Sequence, residues 1–127
     1  MNMFTPRRPV KSFQDLEVYQ KLLAASVAVA KRVKNQKIID LALELPVKIA
    51  RAHSVRFSNK ARAIEILEDV MLGINILIVY LEQYRDIENS NIEVEFFDEQ
   101  IRSLSTTRFK VMHLQMSWKK FGGKDNV

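Results

Sequence analysis

Apolar residues return every three or four positions along four stretches of this 127-residue chain, and only short polar segments interrupt them. The interruptions fall around Asn35, at Ser58-Asn59 and at Glu88-Asn89-Ser90-Asn91. Such spacing places side chains on one face of a helix. Leu16, Tyr19, Leu23, Val27, Ala30 and Val33 make the first face, and Ile38, Leu41, Leu45, Ile49 and Ala52 the second. Ile64, Leu67, Met71, Ile74, Ile78 and Leu81 make the third, and Phe97, Ile101, Leu104, Val111 and Trp118 the fourth. Helices are therefore expected over about 13–33, 36–57, 60–88 and 93–121. Amphipathic helices with short connections pack as an all-α, up-down four-helix bundle. The bundle is expected to occupy residues 12–121, with a flexible basic arm at 1–11 and a disordered tail at 122–127.

Local signals agree with these boundaries. Ser12 with Asp15 three positions later has the form of a capping box. Pro46 falls inside the second helix, where a missing N–H predicts a kink. Gly122-Gly123 is expected to end the fourth helix. Only three glycines and three prolines occur in the whole chain, too few for a β-rich or disordered protein.

The residues for catalysis are not arranged for it. The chain has no cysteine, which excludes disulfides, thiolate metal sites and cysteine nucleophiles. His53 and His113 fall on different helices without metal-ligand spacing, and each reads as a surface or interface residue. Asp98 and Glu99 are adjacent, so on a helix they point about 100° apart and cannot work as one acid–base pair. Neither a phosphate-binding glycine loop nor a nucleophile elbow is present. No enzymatic activity, metal or cofactor is expected. The N-terminus lacks the apolar core of a signal peptide. The longest apolar run, 70–81, is broken by Gly73 and Asn75 and is too short to span a bilayer. A cytoplasmic protein without membrane contact is the expectation.

The third helix carries more apolar surface than one bundle uses. Leu72, Ile76, Val79 and Tyr80 lie off its main stripe. They are expected to form an oligomer interface; the other reading makes this the central helix of a monomer. Arg108 fills the position its own stripe skips. Its stem can lie on the core with the guanidinium reaching solvent or an acid, or it can line the inner surface of an oligomer.

Charge is distributed in blocks. Residues 1–62 hold 13 basic and 4 acidic side chains, residues 63–99 hold 1 and 10, and residues 100–127 hold 6 and 1. Between Glu44 and Glu65 there is no acid, while Lys48, Arg51, Arg56, Lys60 and Arg62 fall in that interval. Either these cations only solvate a helix face or they meet a polyanion. The second reading makes those five the first candidates for phosphate contact with RNA or DNA, and Lys31, Arg32, Lys34 and Lys37 a second group. Nothing looks like a base-reading module, so contact is expected to be sequence-tolerant. Glutamine at Arg51 and Arg56 is expected to weaken binding without disturbing the fold.

Several segments resemble known proteins. S-F-Q-D-L-E-V-Y-Q-K (12–21), L-P-V-K-I-A (45–50) and I-L-E-D-V-M-L-G-I-N-I-L (66–77) are similar to small bacterial four-helix proteins encoded by intervening sequences in large-subunit ribosomal RNA genes. The same superfamily includes the accessory variability determinant proteins of diversity-generating retroelements. Q-K-I-I-D-L-A-L-E-L (36–45) and M-S-W-K-K-F (116–121) look closer to that branch. The resemblance implies a bundle assembled as a ring, typically a pentamer. In the retroelement branch it also implies a basic protein that binds nucleic acid and partners a reverse transcriptase. The intervening-sequence proteins usually carry Asn-Ile-Ala-Glu-Gly where this chain has Lys48-Ile49-Ala50-Arg51-Ala52. A cation thus replaces the acid and a helix former the glycine, which favours the nucleic-acid branch. The alternative is a structural or protein-interaction bundle.

Overall fold

The structure is a computed structural model that describes residues 12–88 and 91–122, the side chains of 91–93 excepted. A 3₁₀ turn, Phe13–Asp15, leads into α1 (Glu17–Arg32), α2 (Gln36–Val55), α3 (Lys60–Glu88) and α4 (Asn91–Phe121). No strand occurs among the described residues. The basic arm and the tail beyond Gly122 lie outside them.

Each boundary has a local cause. Ser12 and Asp15 close the expected capping box around the 3₁₀ turn. Leu16 then takes an extended conformation, so α1 starts afresh at Glu17. Asn35 caps α2 by accepting a hydrogen bond from the Ile38 N–H at 3.2 Å. Asn59 caps α3 in the same way through the Arg62 N–H at 3.1 Å. Gly122, at φ +67°, ends α4 in the left-handed conformation that glycine tolerates. The second helix stops at Val55 rather than near Phe57, and the fourth begins two residues earlier than expected. Pro46 lies within an unbroken α2 and is itself buried.

The helices pack in sequence order, α1 on α2, α2 on α3 and α3 on α4, and α4 returns to α1. Among the described residues the backbones of the diagonal pairs stay apart. This is a four-helix bundle. Lys60 on α3 reaches the Lys119 carbonyl on α4, whereas Arg85 near the other end of α3 pairs with Asp98 near the start of α4. Those contacts fix α3 and α4 as antiparallel. Gly73 allows α2 and α3 to approach closely, since a methyl group there would stand 2.8 Å from Leu45 Cδ2.

The core contains Leu22, Leu45, Ile49, Leu67, Ile74, Leu81, Phe97, Leu104 and Trp118, all essentially inaccessible. The expected faces of α2 and α4 hold, with Leu41 and Ile101 half-buried at their margins. On α3, Leu67, Ile74 and Leu81 are central and Ile64, Met71 and Ile78 flank them. The face of α1 is different. Val18, Leu22, Ala25, Ser26 and Val29 point inward, while Leu23 is 42 % and Val27 40 % exposed. Residues 22–30, L-L-A-A-S-V-A-V-A, offer two apolar faces. The small Ala25 and Ser26 occupy the one that packs against the core.

Arg108 does not occupy the skipped layer of α4. Thr107 is buried there, donating its hydroxyl to the Ser103 carbonyl at 2.8 Å. Arg108 is half-buried, with its guanidinium 4.8 Å from the centre of the Phe109 ring.

Candidate nucleic-acid interface

The nine candidate cations do not form one site. Lys31, Arg32, Lys34 and Lys37 surround the α1–α2 connection at one end of the bundle. Arg56, Lys60 and Arg62 surround the α2–α3 connection at the other end, with Lys48 and Arg51 between the two groups along α2. From Lys37 to Arg56 the rise along α2 is about 28 Å.

Some of the missing acid is restored by the fold. Glu44 stands 3.5 Å from Arg51 and Glu65 stands 3.8 Å from Arg62. All four side chains in these pairs remain about half exposed or more. Exposed pairs of this kind contribute at most about 1 kcal/mol, so a polyanion can compete for both arginines.

Arg56 plays a structural part that its sequence position did not suggest. Its Nη1 donates to the His53 carbonyl at 2.6 Å and lies 3.1 Å from His53 Nδ1. His53 is buried, not exposed, and its ring is 6.3 Å from that of Trp118. The arginine therefore caps the C-terminus of α2, where backbone carbonyls lack intrahelical partners, and closes over a His–Trp layer. His113 is exposed.

The α2–α3 end also contains residues that sequence reasoning left out. Lys60 Nζ donates to the Lys119 carbonyl at 3.4 Å, which brings the C-terminus of α4 against the start of α3. Lys119, Lys120 and Phe121 thus join Arg56, Phe57 and Lys60. The surplus of base over acid in residues 100–127 was a visible signal, but only antiparallel packing of α3 and α4 reveals where it goes.

At the opposite end the cations cover rings at the margin of the core. Arg32 lies 4.6 Å from the centre of Phe96 and Lys37 5.2 Å from that of Tyr80. Tyr84 accepts a hydrogen bond from the Lys34 N–H at 3.3 Å. Arg85 donates to Asp98 at 2.7 Å and to Asp86 at 2.9 Å. These two carboxylates, Asp86 foremost, hold the Arg85 guanidinium still more firmly protonated than usual.

Among the described residues, no group of three His, Asp or Glu side chains could hold a metal ion. An open cleft of about 370 Å³ between α1 and α4 is lined by both signs of charge, including Lys21, Glu99 and Arg102. Two of its hydroxyls, Thr106 and Thr107, donate back to carbonyls of their own helix. Lys110, also on its wall, pairs with Glu17. No helix of the described residues is long and apolar enough to cross a membrane.

Comparison with known proteins gives no match. No family model fits the chain, and neither a curated protein nor a solved structure is similar to it.

The off-stripe residues of α3 are placed largely as their spacing required. Leu72 is 59 % and Val79 48 % exposed, with Ile76 between them also facing solvent. Tyr80 departs from this set: it is half-buried beneath Lys37. Its aromatic bulk faces the α2–α3 groove, which removes much of it from any outer interface.

Proposed function

We propose that this protein is a non-enzymatic nucleic-acid-binding accessory that grips RNA or DNA through phosphate contacts. The observation that carries the reading is the cationic α2–α3 end. Lys60, Arg62, Lys119 and Lys120 are exposed there, and the Arg62 pair with Glu65 is weak. The resemblance to retroelement accessory proteins adds a reverse transcriptase as partner, a homo-oligomeric ring, with a pentamer as its form, and a cytoplasmic setting. A ring would repeat each cationic end about one axis, so modest contacts would combine into avidity. The exposed Leu72, Ile76 and Val79 supply apolar surface for self-association.

That same apolar strip favours a second reading, a protein-interaction bundle whose cations only solvate it. Filter binding of random-sequence RNA and duplex DNA at stepped salt concentrations separates the two. Phosphate recognition predicts a linear fall of log affinity with log salt, by about 0.9 per contact on duplex DNA and about 0.7 on single strands. Affinity should vary little with sequence. Absence of binding at low salt would leave the protein-interaction reading in its place.

A further inference from the structure

Two phenylalanines at the cationic end project into solvent. Phe57, in the α2–α3 connection, is 66 % exposed, and Phe121, at the end of α4, is 42 % exposed. Each lies against a cation: the Arg56 guanidinium is 4.2 Å from the centre of the Phe57 ring, and Lys120 Nζ is 5.3 Å from that of Phe121. Both sit on anchored backbone. The Asn59 N–H donates to the Val55 carbonyl at 2.7 Å, closing the turn that carries Phe57. Lys60 ties that turn to the α4 terminus through the Lys119 carbonyl. Arg56 is itself held by His53.

We propose that Phe57 and Phe121 are base-stacking platforms and that this end of the bundle selects single-stranded nucleic acid over duplex. The inference rests on the phosphate-binding reading above and specifies its substrate class. The physical reason is access to base faces. In a duplex the faces are stacked on each other, and only edges and phosphates are presented. A single strand offers free faces, which aromatic rings bind with little dependence on sequence. Arg56 lies over one face of Phe57, so the exposed area belongs to the opposite face and the edge. A base stacked there would complete a guanidinium–ring–base sandwich, favourable because the ring is negative on its face. Lys60, Lys119 and Lys120 lie at the same end of the bundle as the rings, where a bound strand's phosphates could meet them. At the opposite end the rings are packed into the margin of the core, with Phe96 and Tyr84 each against Phe97. They have no comparable free face to offer.

The test is fluorescence anisotropy with a labelled oligothymidylate and a mixed-sequence duplex of equal length. It compares wild type, Phe57→Leu/Phe121→Leu and Lys119→Gln/Lys120→Gln. Leucine keeps the apolar bulk and removes the π-face, and thermal melts confirm folding of each variant. Wild type should bind the single strand at least about tenfold more tightly than the duplex. Each ring removed should cost about five- to a hundredfold on the single strand, with duplex affinity and salt slope unchanged. The lysine variant should weaken both ligands and flatten both slopes. Equal wild-type affinity for the two ligands, or no loss in the leucine variant, would overturn stacking while phosphate binding stood. Failure of wild type to bind either ligand at low salt would overturn both. Vesicles of phosphatidylserine and phosphatidylcholine form a control. Binding to them that the leucine variant alone abolishes, with oligothymidylate affinity unaffected, would assign the rings to a lipid surface and overturn the proposal.

Discussion

The two ends of the bundle are built from the same kinds of residue and arrive at opposite surfaces. Each gathers lysines, arginines and aromatic rings, and each places cations over rings. At the α1–α2 end the rings under the cations, Phe96 and Tyr80, are half-buried. The second half of α3 and the first part of α4 meet there, and their described side chains between residues 82 and 99 include six acids against one base. Lys31, Arg32, Lys34 and Lys37 thus share their end of the bundle with a surplus of acid. At the α2–α3 end Phe57 and Phe121 stand in solvent, and the cations there face far less opposing charge. Composition alone does not distinguish the two. What distinguishes them is whether the ring is part of the core and which acids the antiparallel packing delivers.

The largest effect expected from this contrast is on stability. Trp118 is buried against His53 beneath Arg56, so Trp118→Ala should cost about 3–5 kcal/mol in a urea melt. Leu67→Ala, in the shared core, should cost about 2–5 kcal/mol. A smaller loss at Trp118 than at an exposed residue such as Lys120 would mean that the layer under Arg56 is not formed. The capping role of Arg56 predicts that Arg56→Gln lowers the melting temperature as well as the affinity, whereas Arg51→Gln lowers affinity alone.

Assembly comes next. Leu72 and Ile76 lie outside both ends, on the exposed strip of α3, and burying each in a subunit contact would contribute about 1.5–3 kcal/mol. Light scattering should show an oligomer for wild type and a shift toward monomer for Leu72→Glu/Ile76→Glu. A wild-type monomer at tens of micromolar would remove the ring and leave each cationic end to act singly. The smallest effect concerns surface charge: Lys120→Ala should change stability by no more than about 0.5 kcal/mol, although it alters the cationic end.

Much of this architecture is legible in the chain because it rests on local rules. Asn35 and Asn59 are caps by chemistry, and Ile38, Leu45, Ile49 and Ala52 face the core as their helical spacing indicates. The face of α1 was not legible, since residues 22–30 present two apolar stripes and extended Leu16 resets the helical phase. The candidate site was half legible. The acid-free interval from Lys48 to Arg62 stands out in sequence, but its separation from Lys31–Lys37 follows from the length of α2. The partnership of Lys60 with Lys119, and the burial of His53 by Trp118, depend on a helix more than fifty residues away. No local pattern encodes those contacts.

The difference between the ends is tested most directly by neutralising one end at a time. Lys60→Gln/Lys119→Gln/Lys120→Gln and Lys31→Gln/Lys34→Gln/Lys37→Gln remove equal charge from opposite ends of the bundle. Both sets are exposed in the structure, so folding should be nearly unchanged. Affinity for a single strand is then titrated across salt concentration. The account predicts that the first variant binds weakly and that its log–log slope falls by about 0.7 for each phosphate no longer engaged, while the second retains nearly wild-type affinity and slope. Equal losses in the two variants, or a greater loss in the second, would contradict it.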